Sequence, residues 1–336
     1  MNIFTNSILT LKFVTKVFAV NRENGAYHSY IKKVASYEIR KSHDLNDGSI
    51  SRLDFLKIQW YMVTTLYLGE LIAELRPNKL TEQEKMSLIY SGALMAITDL
   101  MVDDHQLGSE KLIALLSGEA FDHEDLPPVE NVFILYHNKL VSIISKKKVQ
   151  TIQNFSLRKP HIESQSQLIT DLTEDEVINH TRKKGGTALL LTASLILDIN
   201  KKNEAAIYQL GTFIQYMNDS QDIYKDIQSG ITTFVRYCDT FDEVNKTLER
   251  EFRKTEELFQ KKTYPVYGVY KLLFYLNGMY AGITYKNTQY ARITGNEIDR
   301  SLINKLDKEQ FRVNLFSLTS INYCLPRLLT FKLAAS

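Results

Sequence analysis

From Met86 to Thr98 the chain carries no charged side chain, and its apolar positions recur with helical spacing, which predicts a helix buried on most sides. Thr81, with Glu84 three residues on, marks its start, because each side chain can satisfy the other's backbone N–H. The far end changes character. Asp99 falls inside the apolar run, and Asp103 lies one turn later on the same face, roughly 6 Å along the axis. An unpaired buried carboxylate is costly, so Asp99 needs a cation, a hydrogen-bond network or solvent. A helix emerging into water explains Asp104 and His105 well and Asp99 less well.

A second segment carries polar groups where a structural helix would carry leucines. Gly211, Gln215, Asn218, Asp222 and Asp226 recur in steps of three and four and so share one face. Gly230 predicts a C′ cap just beyond them. Acids in the last turns oppose the helix dipole at ~0.3–1 kcal/mol each, which calls for a cationic partner. Stacked oxygen donors suit hard divalent cations; an acidic, solvated helix end is the plainer reading of Asp222 and Asp226 alone.

Other patterns set the frame. Thr173 with Glu176 opens a further capped helix that reaches Arg182-Lys183-Lys184 and meets Gly185-Gly186. Adjacent glycines cost ~1 kcal/mol each against alanine, so a break is predicted there before Thr187 resumes the helix; a basic helix end capped by glycine is the alternative. Trp60, Tyr61 and Tyr67 share one predicted helix, and Tyr270, Phe274, Tyr275, Tyr280 and Tyr285 another, mostly as core. At the N-terminus Phe4, Ile8, Leu11 and Phe18 form an amphipathic stripe, expected to pack on the rest rather than touch a membrane. Lys12 and Lys16 interrupt it, and no segment is expected to reach the ~20 apolar residues that span a bilayer. Residues 121–131, with Pro127-Pro128, and 156–166, with Pro160, read as surface loops.

Composition narrows the class. The 336 residues are 44% apolar with only 14 glycines and 6 prolines, which predicts one all-α domain over residues 1–336. No glycine-rich loop follows a strand, which excludes a dinucleotide or P-loop fold. A formal charge of +2 gives no field for nucleic acid, and Lys146-Lys147-Lys148 reads as a solvated helix face. Cys238 and Cys324 are too few for a disulfide framework or zinc site, as in a reducing cytoplasm, the expected location.

The two acidic segments resemble the class I isoprenoid synthase superfamily. Asp99 and Asp103 fall where its first aspartate-rich motif has metal ligands. Asn218, Asp219, Asp222, Lys225 and Asp226 look like the second motif of terpene cyclases, with Asp222 replacing Ser or Thr and Asp226 replacing Glu. Gly211 through Asp222 is also similar to the second motif of chain-elongating prenyltransferases, with Asn218 replacing Asp. Gln215, Asn218, Asp222, Asp226 and Gly230 match the spacing in squalene and phytoene synthases. The resemblance implies a helical bundle around a central active-site cavity, and three Mg²⁺ ions held by Asp99, Asp103, Asn218, Asp222 and Asp226. It implies an allylic prenyl diphosphate contacted by Arg182, Lys225 and the Gly186 carbonyl, and aromatic side chains that stabilise a carbocation. Tyr290 and Arg292 would supply a further diphosphate contact. Neither a Gly-Lys-x-x-Arg segment nor an arginine pair after the first motif is found, so a terpene cyclase is expected. A chain-elongating or head-to-head prenyltransferase, and a non-catalytic prenyl-binding helical protein, stay open, as does a homodimer; stable membrane insertion is not expected.

Overall fold

The computed structural model describes residues 3–22, 25–103, 111, 114–115, 126–156, 172–261, 264–314 and 317–333. Among them the regular structure is helical, as the sequence predicts: fourteen α-helices and two short 3-10 turns, with one isolated bridge between Thr240 and Glu297. In chain order the helices are α1 (Ile3–Asn21), α2 (Ala26–Val34), α3 (Ser36–Asp44), α4 (Arg52–Ala73), α5 (Glu82–Asp103), α6 (Pro128–Ile143) and α7 (Lys146–Ser156). They continue as α8 (Glu174–Ser194), α9 (Glu204–Gln221), α10 (Ile223–Gln228), α11 (Phe241–Gln260), α12 (Val266–Thr294), α13 (Arg300–Lys305) and α14 (Leu318–Leu329). Where the sequence reads as one domain, the chain's contacts cluster in two compact units. One comprises Met1–Val14, Glu163–Leu189 and Asn200–Ser336; the other comprises Thr15–Ile162 and Leu190–Ile199.

The first unit is built around α12, whose Leu273, Phe274, Leu276 and Ala281 are fully buried. Phe213 of α9 and Phe252 of α11 meet Tyr280 of α12 at ring-centroid distances of 6.0 and 5.7 Å. The first half of α1 lies along α12: Asn6 donates to the carbonyls of Leu329 and Phe331 at 2.9 and 3.0 Å and accepts from the Tyr270 hydroxyl. Phe13 packs on Tyr275. The buried face of α1 is therefore Asn6, Leu9, Thr10 and Phe13, while Phe4 and Leu11 are each 70% exposed and Ile8 43%. That corrects the expected packing stripe: a helix docked by a buried amide turns its other, more apolar side outward. By length and composition two helices, Ile3–Asn21 and Glu82–Val102, can cross a membrane, against the expectation of none; the second is largely buried.

In the second unit α4 and α5 form an antiparallel pair. A Cβ on Gly69 would lie 2.2 Å from Leu88, and one on Gly92 2.5 Å from the Tyr61 carbonyl, so each helix has a glycine where the other presses closest. Pro128 begins α6 at a position where a missing N–H costs nothing, so residues 128–131 of the expected loop over 121–131 are helix instead. Residues 104–106, 121–125 and 157–166 lie outside the described residues.

The C-terminal end of α8 is held in this unit by cations. Arg76 donates to the Ile196 carbonyl at 2.9 Å, and the Lys148 ammonium donates to the Leu195 carbonyl, satisfying groups that a helix end leaves free. Lys148 is thus not part of a purely solvated face; burial depresses its pKa. Arg76 also grips Glu84 with two bonds of 2.7 and 2.6 Å, and Glu84 closes the capping box on Thr81 that the sequence predicts. Burial works against the charged carboxylate, but Arg76 and Thr81 prevail and hold Glu84 at about 2, below its ordinary 4.5. A depressed carboxylate contributes stability above its unfolded pKa and loses it as pH falls through the folded one. Glu84→Gln is expected to cost about 1–2 kcal/mol at pH 7. In urea denaturation at falling pH, the gap from wild type should narrow below about 4.5.

Candidate functional site

Asp99 stands near the C-terminal end of α5, half-buried, and the Tyr61 hydroxyl of α4 donates to it at 2.8 Å. The Gly92 contact sets this approach, because it seats α5 directly against the Tyr61 backbone. The partner that the buried position of Asp99 requires is thus a phenol, from the aromatic cluster of the predicted Trp60 helix. Asp103 is the last residue of α5, and its side chain lies outside the described structure.

The second acidic segment is built on the contact of α8 with α9. A Cβ on Gly185 would fall 2.4 Å from the Gly211 carbonyl oxygen, and one on Gly211 2.3 Å from the Gly185 carbonyl oxygen. A Cβ on Gly186 would strike the Tyr208 ring at 2.5 Å. The predicted break at Gly185-Gly186 is absent: α8 runs unbroken from Glu174 to Ser194. The glycines permit close backbone approach, which offsets their low helix propensity. Gly211, read from sequence as part of a ligand stripe, is the other half of this contact.

Close approach brings two side chains of α8 onto an acid of α9. Asp219 is 3% exposed; it accepts from Thr181 at 3.3 Å and from the Gln215 amide at 2.7 Å, and it feels the charge of Lys184. Burial raises its carboxyl to about 6 despite Lys184 and both hydrogen bonds, and Asp222 pushes the same way. The helix then bends. Asp222 caps α9 with φ −97° and ψ 11° and begins α10, yet the ladder continues, because the Asp222 N–H reaches the Asn218 carbonyl at 3.0 Å and the Asp226 N–H reaches Asp222 at 2.8 Å. Asp226 is 8% exposed; burial, then repulsion from Asp219 and Asp222, raises it to about 7 against Lys225 and Lys184. Asn218 and Lys225 are exposed, and Asp222 is half-buried.

Gly230 ends α10 as predicted, with φ +68°: its N–H meets the Ile227 carbonyl at 3.3 Å and the Ile231 N–H meets that of Asp226 at 2.9 Å, a Schellman closure. The cation expected at the helix end is Lys286 of α12, which donates to the Gln221 carbonyl at 2.6 Å and lies near Asp222. It sits 60 residues or more downstream in sequence, where nothing local pairs it with the acids. Tyr224 bonds the Leu306 carbonyl at 3.1 Å and stacks on Phe311, which pins α10.

Arg182 lies elsewhere. Its guanidinium faces Glu251, a fully buried carboxylate at 3.5 Å that Lys254 and Gln209 also hold at 2.8 and 3.0 Å. Two residues along the same helix, and so on another face, Lys184 is the residue whose charge reaches Asp219 and Asp226. Tyr290 is buried against Phe241 and Phe311, and Arg292 is exposed. Among the described residues no three carboxylate, imidazole or thiol groups converge into a protein cage for a metal. The donor set fits Mg²⁺ in another way, since that ion is usually bound by one or two carboxylates with water and substrate phosphate completing the shell. Two acids raised by burial, and further by neighbouring carboxylates, are what a divalent cation relieves.

No protein-family model matches this chain, and no curated protein matches it. Among solved structures it is similar to a dehydrosqualene synthase in complex with ligand, at a TM-score of 0.47 and 12% identity over 89% of this chain and 99% of that one. It is also similar to a geranyltransferase from Legionella pneumophila, at a TM-score of 0.41 and 13% identity over 87% of this chain and 99% of that one.

Two outcomes test this geometry. Gly185→Ala should destabilise the protein by about 1–3 kcal/mol in chemical denaturation, since the new methyl meets backbone that cannot step aside. For Asp226 the carboxyl is raised, so its contribution is fully present below the unfolded 3.8 and is lost as pH rises through about 7. In metal-free buffer Asp226→Asn should therefore match wild type near pH 4 and exceed it by roughly 1–3 kcal/mol at pH 8.

Proposed function

We propose that this chain is a magnesium-dependent isoprenoid synthase that ionises an allylic prenyl diphosphate and transfers the prenyl group, in the manner of the squalene and phytoene synthases. The observation that carries the reading is the bent acidic helix: Gln215, Asn218, Asp222 and Asp226 follow one another across the α9–α10 bend with Asp219 buried beneath them. Magnesium, when bound, would supply Lewis acidity to the departing diphosphate. Asn218, Asp222 and Asp226 would hold it, and Lys184 and Lys225 would neutralise diphosphate oxygens. Gln215 and Thr181 fix the Asp219 carboxyl under the site by their own bonds. Asp99, oriented by Tyr61, and Asp103 are proposed as further magnesium ligands.

The unbroken α8 favours prenyl transfer over cyclisation. In the cyclase reading Arg182 senses diphosphate beside a helix break at Gly186; here the helix is continuous and Arg182 is engaged by Glu251. Products formed from allylic diphosphates of increasing length, with Mg²⁺ and with or without isopentenyl diphosphate, test the reading. A coupled chain of doubled length is the expected product. Product from a single allylic substrate would restore the cyclase, and a requirement for isopentenyl diphosphate would point to elongation. Asn218→Ala and Asp226→Asn should each lower turnover on the order of 100-fold, whereas Arg182→Ala should lower thermal stability and leave most turnover. Absence of diphosphate release by the folded protein with every substrate would overturn the proposal.

A further inference from the structure

A cavity of about 380 Å³ opens in the first unit between α11, α12 and the end of α14, large enough for a small ligand. Three cations line it, Arg253, Arg327 and Lys332, against one carboxylate, Glu249. Arg253 is already neutralised, bonding Glu256 at 2.9 Å and Glu249 at 3.4 Å. Arg327 is not: among the described residues no carboxylate forms an ion pair with it, nor with Lys332.

Arg327 is nonetheless fixed in place. Its Nε donates to the Asn277 side-chain oxygen at 2.8 Å, and its guanidinium carbon sits 4.0 Å above the Tyr280 ring centroid. Asn277 is 3% exposed and also donates to the Arg327 carbonyl at 3.4 Å, so a buried amide positions both ends of the residue. Its guanidinium also bonds the Tyr280 side chain, and an arginine fixed in this way at the cavity wall holds its charge ready for an oxyanion. The neighbouring wall is rigid, because Asn6 of α1 clamps the Leu329 and Phe331 carbonyls.

We infer that this cavity binds a phosphate-bearing anion, with Arg327 as its anchor and Lys332 at its exposed mouth. Two sources share that chemistry: free inorganic phosphate or diphosphate, and the headgroup of an anionic phospholipid. The site is independent of the acidic helix and of magnesium. Calorimetric titration of the full-length protein with inorganic diphosphate in EDTA, beside flotation with phosphatidic-acid vesicles, tests it. Saturable binding to either probe is expected, and which one binds identifies the source. Arg327→Gln should weaken it at least about tenfold, Lys332→Gln should weaken it less, and Asp226→Asn should leave it unchanged. Should Arg327→Gln fail to fold, Lys332→Gln, at an exposed position, still decides. Binding to neither probe, or binding that the Arg327 and Lys332 variants leave intact, overturns the inference.

Discussion

The backbone contact between Gly185 and Gly211 is the constraint on which the acidic site depends. Each glycine leaves room for the other's carbonyl, and any side chain at either point would push α8 and α9 apart. At ordinary helix separation the Thr181 hydroxyl would not reach Asp219, and the charge of Lys184 would be spread into solvent. Pressing the helices together places an acid in a dry environment with too little positive charge nearby to settle it.

What results is an acidic segment whose backbone is satisfied and whose charge is not. Lys286 closes the free carbonyl at the α9 end, and the Schellman turn at Gly230 closes those of α10. The carboxyls of Asp219 and Asp226 remain poised between charged and neutral forms near neutrality, since burial and the charge of neighbouring carboxylates outweigh the lysines. A protein evolved only for stability gains nothing from such an arrangement. It becomes favourable once a cation enters, and this is why the proposed chemistry is placed there.

Much of this was legible in the chain, and the failures have a common cause. Capping boxes at Thr81 and Thr173, the C′ glycine at Gly230 and the all-helical class all follow from local rules, and all stand. The register of Gln215, Asn218, Asp222 and Asp226 survives the bend because the i to i−4 bonds pass through it. Tertiary contacts decided the rest. Glycine at 185 and 186 reads as a helix break until its partner helix is known, and Arg182 reads as a ligand until the buried Glu251 is seen. Lys286 has no signal near the acids at all. On α1, apolar residues occupy two sides of the helix, and only the buried Asn6 determines which side packs.

The division of the chain into units carries a consequence for how it can be cut. Neither division near residue 14 nor that near residue 189 falls in a loop; α1 and α8 run straight through them. A contiguous fragment therefore cannot contain one whole unit without a part of the other. A piece ending before Leu190 strips Arg76 and Lys148 of the carbonyls they cap, and leaves two cations beside a helix end that is no longer there. For this chain the indivisible piece of covalent structure is larger than either of its cores.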